Sequence, residues 1–248
     1  MAMQIEERVK KQQVANGGAQ KEMATDVIWS APPLESGDRL TRAEFERCYH
    51  LNPHIKKAEL IEGVVYVASP VRVKQHGEPH SRIVTWLGVY LASTPGLRMA
   101  DNSTYRLDEE TEPQPDVSMW IDKPSARAQV DEDDYLIGAP ELLVEVAASI
   151  ASIDLGAKKD AYARRGVQEY LVLQVYEQQT SWFTWRDGEY HEMQADAQGI
   201  LHSHVFPGLW FDPQKFWAGD LAGVLAVLQQ GLATPEHAEF AAKLASPA

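Results

Sequence analysis

A carboxylate inside an apolar run constrains this chain more than any other feature. Within PELLVEVAAS, residues 140–149, Leu142, Leu143, Val144 and Val146 read as a strand buried on both faces, with Glu145 in its middle. A lone buried charge is strongly unfavourable in a low-dielectric interior. The fold must therefore bring something to Glu145: a cationic side chain, an environment that keeps it protonated, or a metal ion.

Local patterns around this strand predict its neighbours. Thr-Arg-Ala-Glu at 41–44 has capping-box spacing and starts a short helix ending near Tyr49. AELIEGVVYVAS, 58–69, has two β-prone halves around Glu62-Gly63, the pattern of a hairpin. Ile83, Val84, Leu87 and Leu91 have helical spacing over 80–92, and residues 98–107 read as extended. Gln114-Pro115-Asp116 leads into the strand 117–121, and 123–139 is charged and loop-like. Asp154 is placed as N-cap of a helix over 155–165, with Gly166 as its stop. Strands follow at 170–175 and 180–185, then an Asp187-Gly188 turn into 189–193. Residues 221–232 and 235–244 read as amphipathic helices suited to an oligomer contact or a cap. The order implies an α/β fold, a mixed β-sheet flanked by helices on both faces. The predicted organisation is an N-terminal extension over 1–38, one domain over 39–218 and a C-terminal helical extension over 219–248.

Composition removes several function classes. The chain has 248 residues and a net charge of −13, against a broad basic surface coating nucleic acid or an anionic membrane, though a local basic groove remains compatible. Its single cysteine, Cys48, allows neither an intrachain disulfide nor a cysteine-rich zinc site. No apolar run approaches the roughly 18 residues of a membrane span, and no signal-peptide core is present, so a cytoplasmic protein is the expectation. No GxGxxG or GxxxxGK[ST] occurs to cradle a nucleotide phosphate.

Asp116 opens one apolar strand and Glu145 lies inside another. If those strands pair, two carboxylates face one point, an arrangement suited to a hard divalent cation that keeps several waters. The competing reading is two unrelated acids, each paired with an arginine or capping a strand end. In DLGAKKDAYARRG, Leu155, Lys158 and Tyr162 share one stripe, and Lys159 lies close to it. A lysine turned towards the sheet would neutralise the carboxylates, orient a water or hold a phosphate. Adjacent lysines on a solvated helix face are the ordinary alternative.

Asp116 after proline, LLVEVAAS, and then DLGAKKDAYARRGVQEYLVL resemble the Uma-type putative restriction endonuclease family of the PD-(D/E)XK nuclease superfamily. AELIEGVVYVASP, HSRIV and FPGLWFDP add to the resemblance, which covers roughly residues 40–217. It implies a restriction-endonuclease-like fold and Mg²⁺-dependent hydrolysis of phosphodiester bonds, with Mn²⁺ able to substitute and nucleic acid, DNA first, as the partner. Carried over by position, Asp116 and Glu145 hold the metal with the carbonyl of Val146. Lys158 is the catalytic lysine and Lys159 a bystander. Glu59 resembles an accessory metal-site acid, and His80 a supporting residue acting through a water or a further bond. Glu62 is left as a turn residue. The chain departs from the pattern at Ala58, where tyrosine is usual, and at Ala147, where the superfamily places its lysine. Ala147-Ala148-Ser149-Ile150 replaces a run of serine and proline, and Gln174 stands where aspartate is frequent. Such enzymes often work as dimers, and the C-terminal helices are the candidates for that contact.

Two rivals remain at this level: a nuclease-like module without catalysis, and a zinc hydrolase built on His191, His202 and His204. His76 and His80 at i, i+4 are set aside as a zinc pair because Pro79 argues against a regular helix across them. Trp182 and Trp185 read as sheet-packing residues, and Cys48 lacks an evident base beyond Tyr49 and His50.

Overall fold

The computed structural model describes residues 32–148 and 151–245. Most of the extension expected over 1–38 thus lies outside the described residues. Of the part within them, Leu34 is buried against the first hairpin and helix.

Helix α1 (Arg42–His50) begins with both halves of the capping box: Thr41 Oγ1 accepts from Glu44 N, and the Glu44 carboxylate accepts from Thr41 N. Strands β1 (Ala58–Ile61) and β2 (Val64–Val67) form the expected hairpin. Its two turn residues, Glu62 and Gly63, have φ of 51° and 73°, the left-handed pair a tight hairpin needs. A π-helical turn, Val73–Gly77, then runs straight into α2 (Glu78–Ser93). The helix expected from residue 80 therefore starts earlier, and Pro79 does not interrupt it. Proline in a first helical turn removes an N–H that has no intrahelical acceptor.

Strands β3 (Leu97–Asp101), β4 (Tyr105–Arg106) and β5 (Val117–Ile121) follow. The stretch read as a loop over 123–139 contains two short strands, β6 (Ala128–Val130) and β7 (Leu136–Gly138). With β4 they make a small three-stranded sheet in the order β4-β7-β6. Strands of two or three residues show no alternation, so their pairing is a tertiary event. The Glu145 strand is β8 (Leu142–Ala147), buried along its whole length. A turn of helix, Ala151–Ile153, and a π-helical turn, Asp154–Lys158, lead to α3 (Lys159–Arg165). Gly166 ends α3 in the left-handed conformation at φ 71°. Asp154 is not the N-cap expected of it. It lies inside the helical path, where its carboxylate meets Lys158.

Strands β9 (Glu169–Gln174), β10 (Gln179–Arg186) and β11 (Glu189–Glu192) complete the central sheet. Its order is β11-β10-β9-β8-β5-β3, parallel only between β8 and β9, so the mixed sheet flanked by helices is the observed architecture. Leu142, Val144 and Val146 face one side of it, in a core shared with Trp86 and Tyr90 of α2. Leu143 and Ala147 face the other, against Tyr162 of α3. By alternation Glu145 belongs to this second side.

Beyond a two-stranded ribbon, β12 (Leu201–His202) with β13 (Trp210–Phe211), come α4 (Pro213–Trp217), α5 (Leu221–Leu232) and α6 (Pro235–Ala245). Of the two roles expected for the apolar stripes, an oligomer contact or a cap, the packing fits a cap: Val224, Leu228 and Leu244 join the α2-side core. Gly208 and Gly231 explain how closely α5 seats. A Cβ at Gly231 would come within 2.2 Å of the Gly208 carbonyl oxygen. Among the described residues no helix is long and apolar enough to cross a membrane.

Glu169, buried at the head of β9, holds the 203–205 turn by accepting from Ser203 Oγ (2.8 Å) and from the amides of His204 (2.6 Å) and Val205 (3.1 Å). Burial pushes its carboxyl up to about 7, although these donors favour the charged form. An unfolded glutamate titrates near ~4.3, so between that pH and neutrality the folded chain retains a proton that the unfolded chain has lost. The contribution of Glu169 to stability therefore falls as pH rises through this window and levels off above it. Urea unfolding at several pH values should show this decline in the wild type and a flatter profile in Glu169→Gln. Parallel profiles would assign the dependence to other buried acids.

Candidate active site

Antiparallel pairing of β5 with β8 sets Val117 opposite Val144, and the same register carried one step further sets Asp116 beside Glu145. The two acids named from sequence thus come together at one end of the sheet. Asp116 Oδ2 accepts from the amide of Val146 at 2.8 Å, which ties its carboxylate to β8. Lys57, just before β1, donates to Asp116 Oδ1 at 3.3 Å. Burial disfavours the Lys57 ammonium, but Asp116, Glu59 and Glu145 outweigh it and raise its pKa.

Lys158 lies at the centre of the second half of the site. Its ammonium, on a residue only 3% exposed, is 2.9 Å from Glu59 Oε1, 3.0 Å from Glu145 Oε1 and 3.3 Å from Asp154 Oδ1. Tyr162 donates to Glu145 Oε1 at 3.3 Å, so the stripe of Lys158 and Tyr162 faces the buried acid. Lys159 points elsewhere, with its ammonium 4.7 Å from the centre of the Phe183 ring. The π-helical turn explains the separation. Gly156, at φ −113° and ψ −105°, breaks regular geometry inside it and brings Asp154 and Lys158 to one point.

Charge in this cluster is unbalanced. Burial raises Glu145 well above the usual carboxylate range, and the neighbouring Asp154, Asp116 and Glu59 add to the rise while Lys158 opposes it. Burial and the Glu59 and Asp116 charges likewise raise Asp154, against Lys158. Burial works against the Lys158 ammonium, yet the three carboxylates around it hold its pKa well above that of a free lysine. One ammonium is thus shared among more carboxylates than it can neutralise.

Glu59 faces Lys158, and its Oε1 also accepts from the amide of Gln114 at 2.7 Å. His80 Nε2 lies 3.3 Å from the Asp116 carbonyl oxygen and 2.8 Å from Asp101 Oδ1. His76, set aside because of Pro79, belongs to the site. Its Nδ1 is 3.2 Å from the Val146 carbonyl oxygen and its Nε2 is 3.6 Å from Asp116 Oδ1. The two imidazoles stack with centroids 5.2 Å apart across the join of the π-helical turn and α2. Lys57, His76, Asp154 and Tyr162 are therefore the site residues that sequence reasoning did not single out. The spacings 76–80 and 154–158 carried a signal for two of them.

The candidate ligands are all oxygens, the carboxylates of Asp116 and Glu145 with the Val146 carbonyl, a set whose chemistry suits a hard divalent cation with water completing its shell. Burial and mutual repulsion raise Glu145 and Asp154, and a cation between the carboxylates would oppose that rise. Among the described residues no three His, Cys, Asp or Glu side chains converge as ligands of one ion. His191, His202 and His204 in particular go to separate partners: Glu189, Asp196 and Arg186. The zinc hydrolase alternative has no geometric basis.

A family model described as Uma2, putative restriction endonuclease, matches residues 42–214, more than half of the chain. Among solved structures, a putative nuclease belonging to DUF820 from Anabaena variabilis is similar at a TM-score of 0.50 and 15% identity. The match covers 65% of this chain and 90% of that one, a likeness of fold. No curated protein matches the chain.

Replacing Lys158 with methionine leaves Glu59, Glu145 and Asp154 buried without their common cation. Lys158→Met should cost about 3–5 kcal/mol at neutral pH, the usual penalty for removing one partner of a buried charge pair. The loss should shrink in mild acid, where the carboxylates take up protons. Denaturant titrations at two pH values check both, and a loss independent of pH would contradict the electrostatic account.

Proposed function

Because the chain belongs to the Uma2 family, we propose that it is a nuclease that hydrolyses phosphodiester bonds, of DNA in the first instance, with Mg²⁺ or Mn²⁺ bound at the end of β8. The observation that carries this reading is the approach of Asp116 and Glu145 across β5 and β8, with Lys158 donating to Glu145. Asp116, Glu145 and the Val146 carbonyl would hold the cation. When bound, it supplies Lewis acidity and lowers the pKa of a water.

The protein's own groups have distinct tasks. Lys158 places a positive charge beside Glu145, where a phosphoryl group held by the cation would gain negative charge. Glu59 and Asp154 set the position of that ammonium, so Glu59 serves the site through Lys158. His80 braces the backbone of Asp116, and Lys57 holds its carboxylate from the other side. The lysine that the superfamily places at position 147 is replaced in function by Lys158, whose ammonium reaches the same acid from the following helix. Four carboxyl groups, Glu59, Asp116, Glu145 and Asp154, surround the ammonium groups of Lys57 and Lys158, an acid-rich setting in which a cation would be favoured.

Purified protein should cut plasmid or oligonucleotide DNA with Mg²⁺ or Mn²⁺ and not with EDTA. Glu145→Ala and Asp116→Asn should each lower the rate by about a hundredfold or more, as expected when a metal-holding group is lost. Circular dichroism would confirm that the variants stay folded. Absence of metal-dependent cleavage by the wild type on DNA and RNA would instead favour a nuclease-like module that binds or assembles without catalysis.

A further inference from the structure

The connection between β2 and α2 is unlike the rest of this acidic chain. From Gly63 to Gly77 it contains no Asp or Glu, whereas the whole chain has 36 acids against 23 Lys and Arg. Residues 68–74 are all exposed. Two of them are large apolar side chains left in water, Val71 at 69% and Val73 at 72% exposure. Alternating with them are Arg72 and Lys74, and neither makes an ion pair among the described residues. Arg72 reaches only Gln75, at 3.3 Å.

This segment is joined to the site on both sides. At its start, Ala68 N donates to the carbonyl of Lys57, the residue that holds Asp116. At its end the Arg72 carbonyl accepts from the amides of His76 and Gly77, closing the π-helical turn that points His76 at Asp116 and Val146. Arg72 and Lys74 are thus within about one helical turn, ~5.4 Å, of a residue that touches the site.

We propose that residues 68–77 are the surface that grips the nucleic-acid backbone beside the bond to be cut. Arg72 and Lys74 contact phosphates one or two positions away, where a strand offers one charge about every 3.4 Å along the axis. Val71 and Val73 lie against sugars and base edges, which removes them from water. In a protein with net charge −13, an acid-free cationic strip concentrates attraction for a polyanion at one place. The inference rests on the nuclease reading and adds the face by which substrate enters.

The test measures binding of a fluorescent DNA duplex to the full chain by anisotropy, without divalent metal and across a range of salt. Cleavage with Mg²⁺ is assayed in parallel. Arg72→Ala with Lys74→Ala should weaken binding about tenfold at low salt and reduce the slope of log K against log salt by about 1.8, two phosphates at ~0.9 each. The exchanged pair Arg72→Lys with Lys74→Arg should keep both affinity and slope. Val71→Ser with Val73→Ser should lower affinity and leave the slope unchanged. Wild-type affinity and slope in the double alanine variant, with wild-type cleavage intact, would overturn the inference and leave the nuclease reading standing. A wild type that neither binds nor cuts would overturn both.

Discussion

A single ammonium surrounded by three carboxylates organises this molecule. Lys158 is buried, and its charge is tolerable there only because Glu59, Glu145 and Asp154 close around it. Those acids come from different units: the β1–β2 hairpin, the middle of the central sheet and the helical turn before α3. Hydrophobic contact alone would let the hairpin slide on the sheet, since apolar packing is not directional. Backbone bonds between Leu60 and Glu112 and from Gly63 to Glu110 fix the hairpin's register, and the ion cluster, with the Glu59 Oε1 bond to the Gln114 amide, adds a directional tie near Asp116.

Both helices that serve the site enter it through irregular geometry. The π-helical turn Val73–Gly77 delivers His76, and the turn Asp154–Lys158 delivers Asp154 and Lys158. One extra residue per turn rotates the side chains that follow relative to a regular helix. Both deviations end beside β8, one at the Val146 carbonyl and the other at the Glu145 carboxylate. The sheet is the rigid part and the two turns adapt polar side chains to it. The same division appears in the charges, with buried carboxyl groups clustered on the sheet side and two exposed cations, Arg72 and Lys74, on the connection before α2.

Much of this layout was legible in the chain. Apolar runs located β5, β8, β9 and β10, an Asp-Gly turn located β11, and β3 was read only as extended chain, while Thr41 with Glu44, Glu62-Gly63 and Gly166 marked a helix start, a hairpin and a helix stop through local chemistry alone. The convergence of Asp116 and Glu145 was readable only as a condition, should their two strands pair, and the family resemblance chose it over two unrelated acids. The illegible parts share one cause. β4, β6 and β7 are too short to carry a period. Asp154 looked like a cap because an aspartate before a helix usually is one, and His76 was weighed only as half of a zinc pair, so its approach to Asp116 through an irregular turn was not foreseen.

The sequence by itself determined the apolar strand cores, several of the turns, and that a carboxylate inside the strand 142–146 needs compensation. Those properties follow from side-chain chemistry and from spacings of a few residues. Tertiary structure alone decided what supplies that compensation and how many acids share it. It also turned Lys158 inwards and Lys159 onto Phe183, and directed the stripes of α5 and α6 into the core. The reason is distance: groups far apart in sequence interact only after the sheet has brought them within a few ångströms, and no local spacing encodes that approach.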